Sequence, residues 1–172
     1  CEEIPQPHDG VDVAARGNFC TVDSVGRIRD RRAGRISTNA AIPLVERLSA
    51  VSVPDAEIKI RHVKQHRFAM VMHGAGLHAD IANTDPQQTG VAPVPPVARS
   101  KAAEHTARLF NQWIDAARPA LADQAAANMF ILRGFSTDPQ LSSFTELYSL
   151  NAGCIAVYPM YRGVARLAGM HT

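Results

Sequence analysis

The chain has 172 residues, with Lys plus Arg at 18 against Asp plus Glu at 16 and a formal net charge of +2. That length suits one ordinary domain and argues against two. A hydrophobic share of 46 % with 20 % charged residues excludes a disordered chain, and no apolar run approaches the ~20 residues a membrane helix needs.

Residues 1–15 read as a linker, because Pro5, Pro7 and Gly10 interrupt any regular pattern. Residues 18–22 are β-prone, Gly26 turns the chain, and residues 27–29 return as the second strand of a hairpin. Ser37 or Thr38 caps a helix ending near Ala50, with Ile42, Val45 and Leu48 as its buried stripe and Pro43 in its first turn. Residues 57–63 alternate, with Ile58, Ile60 and His62 on one face, as a half-buried strand does. The continuous apolar run 68–72 fits a central strand. Residues 74–96 form a long loop rich in Gly, Pro, Asp, Asn and Thr, a kind that is usually functional or mobile.

Residues 97–117 are the clearest helix, with Ala103, Ala107, Phe110, Ile114 and Ala117 in one stripe. Trp113 packs beside that stripe, and Glu104 and Arg108 form an outer i,i+4 pair. A short buried strand at 129–132 leads into Arg133, and a short helix covers 144–150. An apolar strand at 154–157 precedes a last helix beginning over 163–167. This alternation predicts the α/β class: a single layered domain with a mixed β-sheet flanked by helices.

The cations are unevenly chosen: only Lys59, Lys64 and Lys101 are Lys, and the other fifteen of the 18 are Arg. Arg grips carboxylates and phosphates with a flat fork of donors that Lys lacks. Residues 27–36 (RIRDRRAGRI) concentrate five of them around Asp30. Two readings of this segment stand side by side. Asp30 can orient one arginine while others face an anion, or the segment is a solvated basic hairpin with ion pairs worth ~0–1 kcal/mol each. Nucleic acid is a weaker partner, since the chain is nearly neutral and no aromatic residue interleaves the cluster.

Other motifs carry less. Cys1, Cys20 and Cys154 are too few and too scattered for a disulfide framework or a zinc site, so a reducing, cytoplasmic setting is expected, and no signal peptide is visible. The loop from 73 to 90 holds His73, His78, Asp80 and Asp85, in a spacing that matches no metal-ligand motif. Gly74-x-Gly76 lacks the rest of a dinucleotide fingerprint. Arg133 ends a strand, where α/β sheets usually bind ligands or where an Arg caps a loop carbonyl. No nucleophile elbow, P-loop or H-E-x-x-H motif is present. The residues therefore describe an anion-binding domain without reaction machinery of its own.

ARGNFCTVD (residues 15–23), DRRAGRI (30–36), Gly74 to Leu77, Thr84 to Pro86, LRGF (132–135) and YPMYRGVARLAGM (158–170) succeed one another in an order that resembles the archaeal-type, cofactor-independent phosphoglycerate mutases of the alkaline phosphatase superfamily. The resemblance covers nearly the whole chain. It implies that residues 16–172 are the substrate-binding domain inserted into a phosphatase-like domain of a longer polypeptide. That other domain would supply two divalent metal ions (Mn, Mg, Zn or Co) and the Ser that becomes phosphorylated, so no catalytic residue or metal ligand is expected here. No 2,3-bisphosphoglycerate would be needed. The partner molecule would be a small phosphorylated carboxylic acid, with 3-phosphoglycerate and 2-phosphoglycerate interconverted in glycolysis and gluconeogenesis.

On that resemblance Arg16, Arg31, Arg32 and Arg35 form the core of an anion site oriented by Asp30. Asp23 and Asp85 contact glycerate hydroxyls or hold arginines, and Arg133 and Arg162 are further candidates. His73 stands where such enzymes often carry Arg or Lys, and residues 81–83 (Ile-Ala-Asn) stand where an acidic residue is common. An insert of a paralogous phosphatase or phosphonate hydrolase is the alternative reading, and an RNA- or anion-binding module a further one.

Overall fold

In chain order the first long element is β1 (Asp12–Val22), and the sheet is built around it. Its residues alternate between two faces, as the period of a strand requires. Val13, Ala15 and Phe19 are buried in the main core, whereas Arg16 on the opposite face is exposed. The computed structural model describes residues 12–172. The linker expected over 1–15 lies outside the described residues as far as 11, and Asp12 already belongs to β1. The alternation of Val13, Ala15, Gly17 and Phe19 carries the strand earlier than the β-prone run at 18–22 suggests.

β2 (Ile28–Asp30) returns along the end of β1 through a turn at Gly26, with Thr21 opposite Asp30. β3 (Glu57–Lys64) and β4 (Arg67–His73) form a tight hairpin whose turn residue Gln65 has φ 53. β4 lies between β3 and β1, and β5 (Met129–Ser136) takes the other side of β1. The α/β layering is as expected, but every pairing of the five strands is antiparallel, so the sheet is not mixed. Two hairpins fix the direction of β2 against β1 and of β4 against β3, and β4 runs opposite to β1. β5 runs opposite to β1 as well, so no parallel crossover arises.

Helices cover the Phe19 face. Ser37 caps α1 (Thr38–Ser49), its hydroxyl accepting the Ala40 amide at 3.2 Å. The stripe of α1 is Ala41, Leu44, Val45 and Leu48, while Ile42 is exposed. Pro43 stands in the second turn, not the first, because the helix begins at Thr38. α2 (Glu104–Ala117) starts later than residue 97. Before it the chain runs extended beside the long loop, with the Ala82 amide on Val97 O and the Arg99 amide on Asp80 O at 2.8 Å each. Arg108 turns to His105 Nδ1 at 3.3 Å, so the expected pairing with Glu104 gives way to a closer neighbour. Trp113 is buried against Phe130, with ring centroids 5.1 Å apart.

The chain divides into two compact units, 1–138 and 139–172. The second contains α3 (Phe144–Tyr148), closed by a capping box between Ser143 and Glu146, and α4 (Pro159–Leu167), which starts earlier than expected because Pro159 occupies its first turn. The strand expected at 154–157 does not form: Ile155 and Val157 are fully exposed, and pairing there is limited to a bridge between Gly153 and His171. No helix of the described residues is long and apolar enough to cross a membrane.

Gly17 is a fixed point of the sheet. A Cβ there would lie 2.1 Å from the ring of its cross-strand partner Phe68. That ring is itself wedged against Phe19 and Phe130, at 5.1 and 6.1 Å between centroids, so it has little room to yield. Gly17→Ala is therefore expected to lower stability by roughly 1–3 kcal/mol, the usual cost of overpacking. Urea denaturation of the two proteins measures this, and equal midpoints would show that the ring moves freely.

Candidate functional site

The long loop brings a carboxylate to the polar face of the sheet. Thr84 binds β5 in both directions: its amide donates to Leu132 O at 2.9 Å, and its hydroxyl accepts the Leu132 amide at 2.7 Å. The next residue, Asp85, is thereby buried, with its side chain 1 % exposed. Arg31 grips it bidentately, Nε to Oδ1 at 3.0 Å and Nη2 to Oδ2 at 2.7 Å. Arg133 Nη1 reaches the same Oδ2 at 3.4 Å, and the Gln87 amide donates to Oδ1 at 2.9 Å. Burial pushes the Asp85 carboxyl up. The hydrogen bonds from Arg31 and Gln87, with the charges of Arg31 and Arg133, outweigh that and hold its pKa below the usual 3.8.

Arg133 on β5 is the direct cross-strand partner of Arg16 on β1. Cβ atoms so placed are ~5 Å apart, and like charges in that position are destabilising. The carboxylate of Asp85 thus meets two guanidiniums, those of Arg31 and Arg133, and Arg16 stands across from Arg133 on the neighbouring strand. Arg31 spends three donors on Asp85 and on Gln87 O, the last at 3.2 Å, and keeps two of its five. Arg133 engages Asp85 through one long contact, so most of its fork is left for another acceptor.

The arginine-rich turn is shaped by Asp30 through the backbone, not through a guanidinium. Its carboxylate accepts the amides of Arg32 at 2.7 Å and Gly34 at 2.6 Å. Ala33, Gly34 and Arg35 all have positive φ, 49, 64 and 56, so the tight turn throws the side chains of Arg32 and Arg35 into solvent. Beside this turn lies His66, 2 % exposed, with no hydrogen-bond partner for Nδ1 among the described residues. Burial and then the charges of Arg67, Arg32 and Arg35 push its pKa down to about 4, against an opposing effect of Asp30, so it stays neutral.

The register of the sheet adds cations that the sequence does not single out. Arg133, Arg16, Ala69 and Arg61 form one row across β5, β1, β4 and β3. Arg67 on β4 lies opposite Asn18, one step along the same face, and Asn18 Oδ1 is buried without a partner among the described residues. The signal in the sequence is the spacing of Arg16 and Asn18, two apart on one strand. It becomes visible only once the partner strands are known.

Three expected residues have other tasks or other places. Asp23 holds the β1–β2 turn, accepting the amides of Val25 at 3.1 Å and Arg27 at 2.8 Å. His73 pairs through Nδ1 with the buried carboxylate of Asp12, its cross-strand partner at the other end of β1 from Asp30. Arg162 belongs to α4 in the 139–172 unit. No group of three or more His, Cys, Asp or Glu side chains among the described residues could hold a metal ion.

A sequence profile of the 2,3-bisphosphoglycerate-independent phosphoglycerate mutases matches residues 8–127. The chain is 39 % identical over 161 residues to a probable mutase of this name from Thermus thermophilus and 41 % identical over 165 residues to one from Deinococcus radiodurans. In both cases 92 % of this chain matches 40 % of the relative, so the chain spans about two fifths of the length of these curated proteins. Among solved structures it is similar to a cofactor-independent phosphoglycerate mutase from Thermoplasma acidophilum, with a TM-score of 0.75 and 27 % identity over 97 % of this chain and 47 % of that one. A protein from Pyrococcus horikoshii shares the fold, with a TM-score of 0.65 at 20 % identity over 95 % of this chain and 38 % of that one.

The buried Asp85 clamp has a measurable signature. Asp85→Asn is expected to cost about 1–3 kcal/mol at neutral pH, because two half-buried guanidiniums lose their buried, charged acceptor. A depressed folded pKa contributes stability that is fully present above the unfolded value of 3.8 and is lost as pH falls through the lower folded value. The parent should therefore lose more stability than the variant on acidification below 3.8. Parallel curves in that range would show that the clamp is not electrostatic.

Proposed function

The chain belongs to the 2,3-bisphosphoglycerate-independent phosphoglycerate mutase family, and on that premise we propose that it is the substrate-holding part of such an enzyme, interconverting 3-phosphoglycerate and 2-phosphoglycerate. The observation that carries this reading is the convergence of Arg31 and Arg133 on one buried carboxylate, with Arg16 directly across the sheet from Arg133. Guanidinium forks held in place on a sheet face, with donors to spare on Arg31 and Arg133, are what a small acid with a phosphate and a carboxylate needs.

In this reading Asp85 is a positioning residue. It locks the fork of Arg31 and orients that of Arg133, so less side-chain freedom is lost when an anion arrives. The two donors left on Arg31, the fork of Arg133 and the guanidinium of Arg16 grip the anionic groups of the substrate. Arg32 and Arg35 extend the positive surface from the turn. Asp30 supports the arginines by fixing the turn backbone, and Asp23 supports the hairpin, in place of the direct contacts expected of them.

Glycerate must remain bound while the phosphoryl group is away, and a firm grip on its carboxylate does that. Two divalent ions (Mn, Mg, Zn or Co), when bound, supply the phosphoryl-transfer chemistry. The described residues hold no group of three or more His, Cys, Asp or Glu side chains that fits such ions; in this proposal their ligands and the Ser nucleophile belong to the remaining part of the polypeptide. No 2,3-bisphosphoglycerate is required, and the reaction belongs to glycolysis and gluconeogenesis in the cytoplasm.

The test uses the full-length polypeptide with 3-phosphoglycerate as substrate. Turnover is expected, and Arg31→Ala and Arg133→Ala should each lower kcat/KM by about 10- to 100-fold, the loss of one charge-assisted hydrogen-bonded grip. Arg108→Ala, on the outer face of α2, should leave it unchanged. The 172-residue chain alone should not turn over. A full-length protein inactive on phosphoglycerate, or arginine variants with parental kcat/KM, would overturn the proposal.

A further inference from the structure

The 139–172 unit displays a segment whose sequence and structure disagree. Cys154, Ile155, Ala156 and Val157 form an apolar run with β-branched residues at alternate positions, the pattern of a buried strand. The run is held at its start only: the Cys154 amide donates to His171 O at 2.7 Å, next to the Gly153–His171 bridge. Beyond that point the amides of residues 155–157 have no hydrogen-bond partner among the described residues. Ile155 is 106 % exposed and Val157 100 %, while Cys154 and Ala156, which alternate with them, are half-buried. The two-residue alternation of a strand is thus present, with one face covered and the apolar face turned to solvent.

The residues after the run have the same character. Tyr158 is the N-cap of α4 and Pro159 its first residue, so the strand-like segment runs straight into a helix. α4 buries only Ala165 and leaves Met160 and Val164, one turn apart, about half exposed. An apolar strand edge and an apolar helix face side by side are half of a layered β–α arrangement. Large exposed apolar patches mark interaction surfaces, and an open strand edge is a template for pairing.

We propose that residues 154–157 are an added strand of a β-sheet supplied by the remainder of the full-length polypeptide, with Ile155, Val157 and the exposed side of α4 buried against it. The occupant is identified by the relatives: this chain corresponds to 40 % of their length, which leaves ample chain to provide the sheet. The proposal rests on the reading of the chain as part of a larger mutase. It deepens that reading by assigning the 139–172 unit to docking, a task other than that of the arginine cluster.

Amide hydrogen exchange of the full-length protein and of the 172-residue chain tests this. In the full-length protein the amides of Ile155, Ala156 and Val157 should exchange on the order of 100-fold more slowly than in the shorter chain. Ile155→Asp and Val157→Asp should lower the melting temperature of the full-length protein, or prevent its folding, and leave that of the 172-residue chain unchanged. Equally fast exchange in both proteins, or full-length variants that melt with the parent, would overturn the proposal. So would protection in the shorter chain that grows with its concentration, because the occupant would then be a second copy. The mutase assay separates the two ideas. Protected amides in an inactive full-length protein would leave the strand standing and remove the mutase reading, and fast exchange in an active enzyme would do the reverse.

Discussion

One buried carboxylate, Asp85, holds the polar face of this sheet in order. It lies on a long loop whose backbone is tied down on either side of it. Thr84 pins the loop to β5, and backbone bonds between Ile28 and both Gly90 and Val91, at 2.8 Å each, pin it to β2. Asp85 then joins the arginine-rich turn after β2 to the end of β5 through Arg31 and Arg133. Breaking a buried pair by removing one member leaves an uncompensated charge, which is why such a clamp constrains its surroundings so firmly.

The clamp also tolerates an arrangement that stability alone would disfavour. Arg16 and Arg133 stand directly opposite each other on neighbouring strands, with Arg61 in the same row and Arg67 a step away. Of this group Asp85 holds Arg133 directly. Residues that break a local rule in an otherwise consistent fold are where function is expected. The helix-covered face, by contrast, breaks no such rule. Phe19, Phe68, Phe130 and Trp113 interlock there, and Gly17 gives Phe68 its space.

Much of the fold is legible in the sequence because its signals are local. The Ser37 cap, the apolar run of β4, the Gly26 turn and the stripe of α2 each depend on a few neighbouring residues. The antiparallel direction of β5 is not legible, since strand direction is decided by pairing over long separations. The site divides along the same line. Arg31, Arg133 and Asp85 can be nominated from their motifs. Their convergence depends on a loop that returns over fifty residues after Arg31. Asp23 and Asp30 differ in kind from their expected roles: short acidic side chains next to turns take backbone amides more readily than distant guanidiniums. Arg61 and Arg67 carry no sequence signal of their own, because only strand register puts Arg61 in the row of Arg16 and Arg67 opposite Asn18. The 154–157 run has the composition of a strand, and its partners are not among the described residues.

The central claim is that the arginines around Asp85 hold a small anion. Arginine side-chain NMR signals of this chain, followed while 3-phosphoglycerate is added, test it most directly. The account predicts saturable shifts at Arg16, Arg31 and Arg133, with Arg108 on α2 and Arg118 just after it unmoved. An absence of shifts, or small shifts spread evenly over all fifteen arginines, would contradict it.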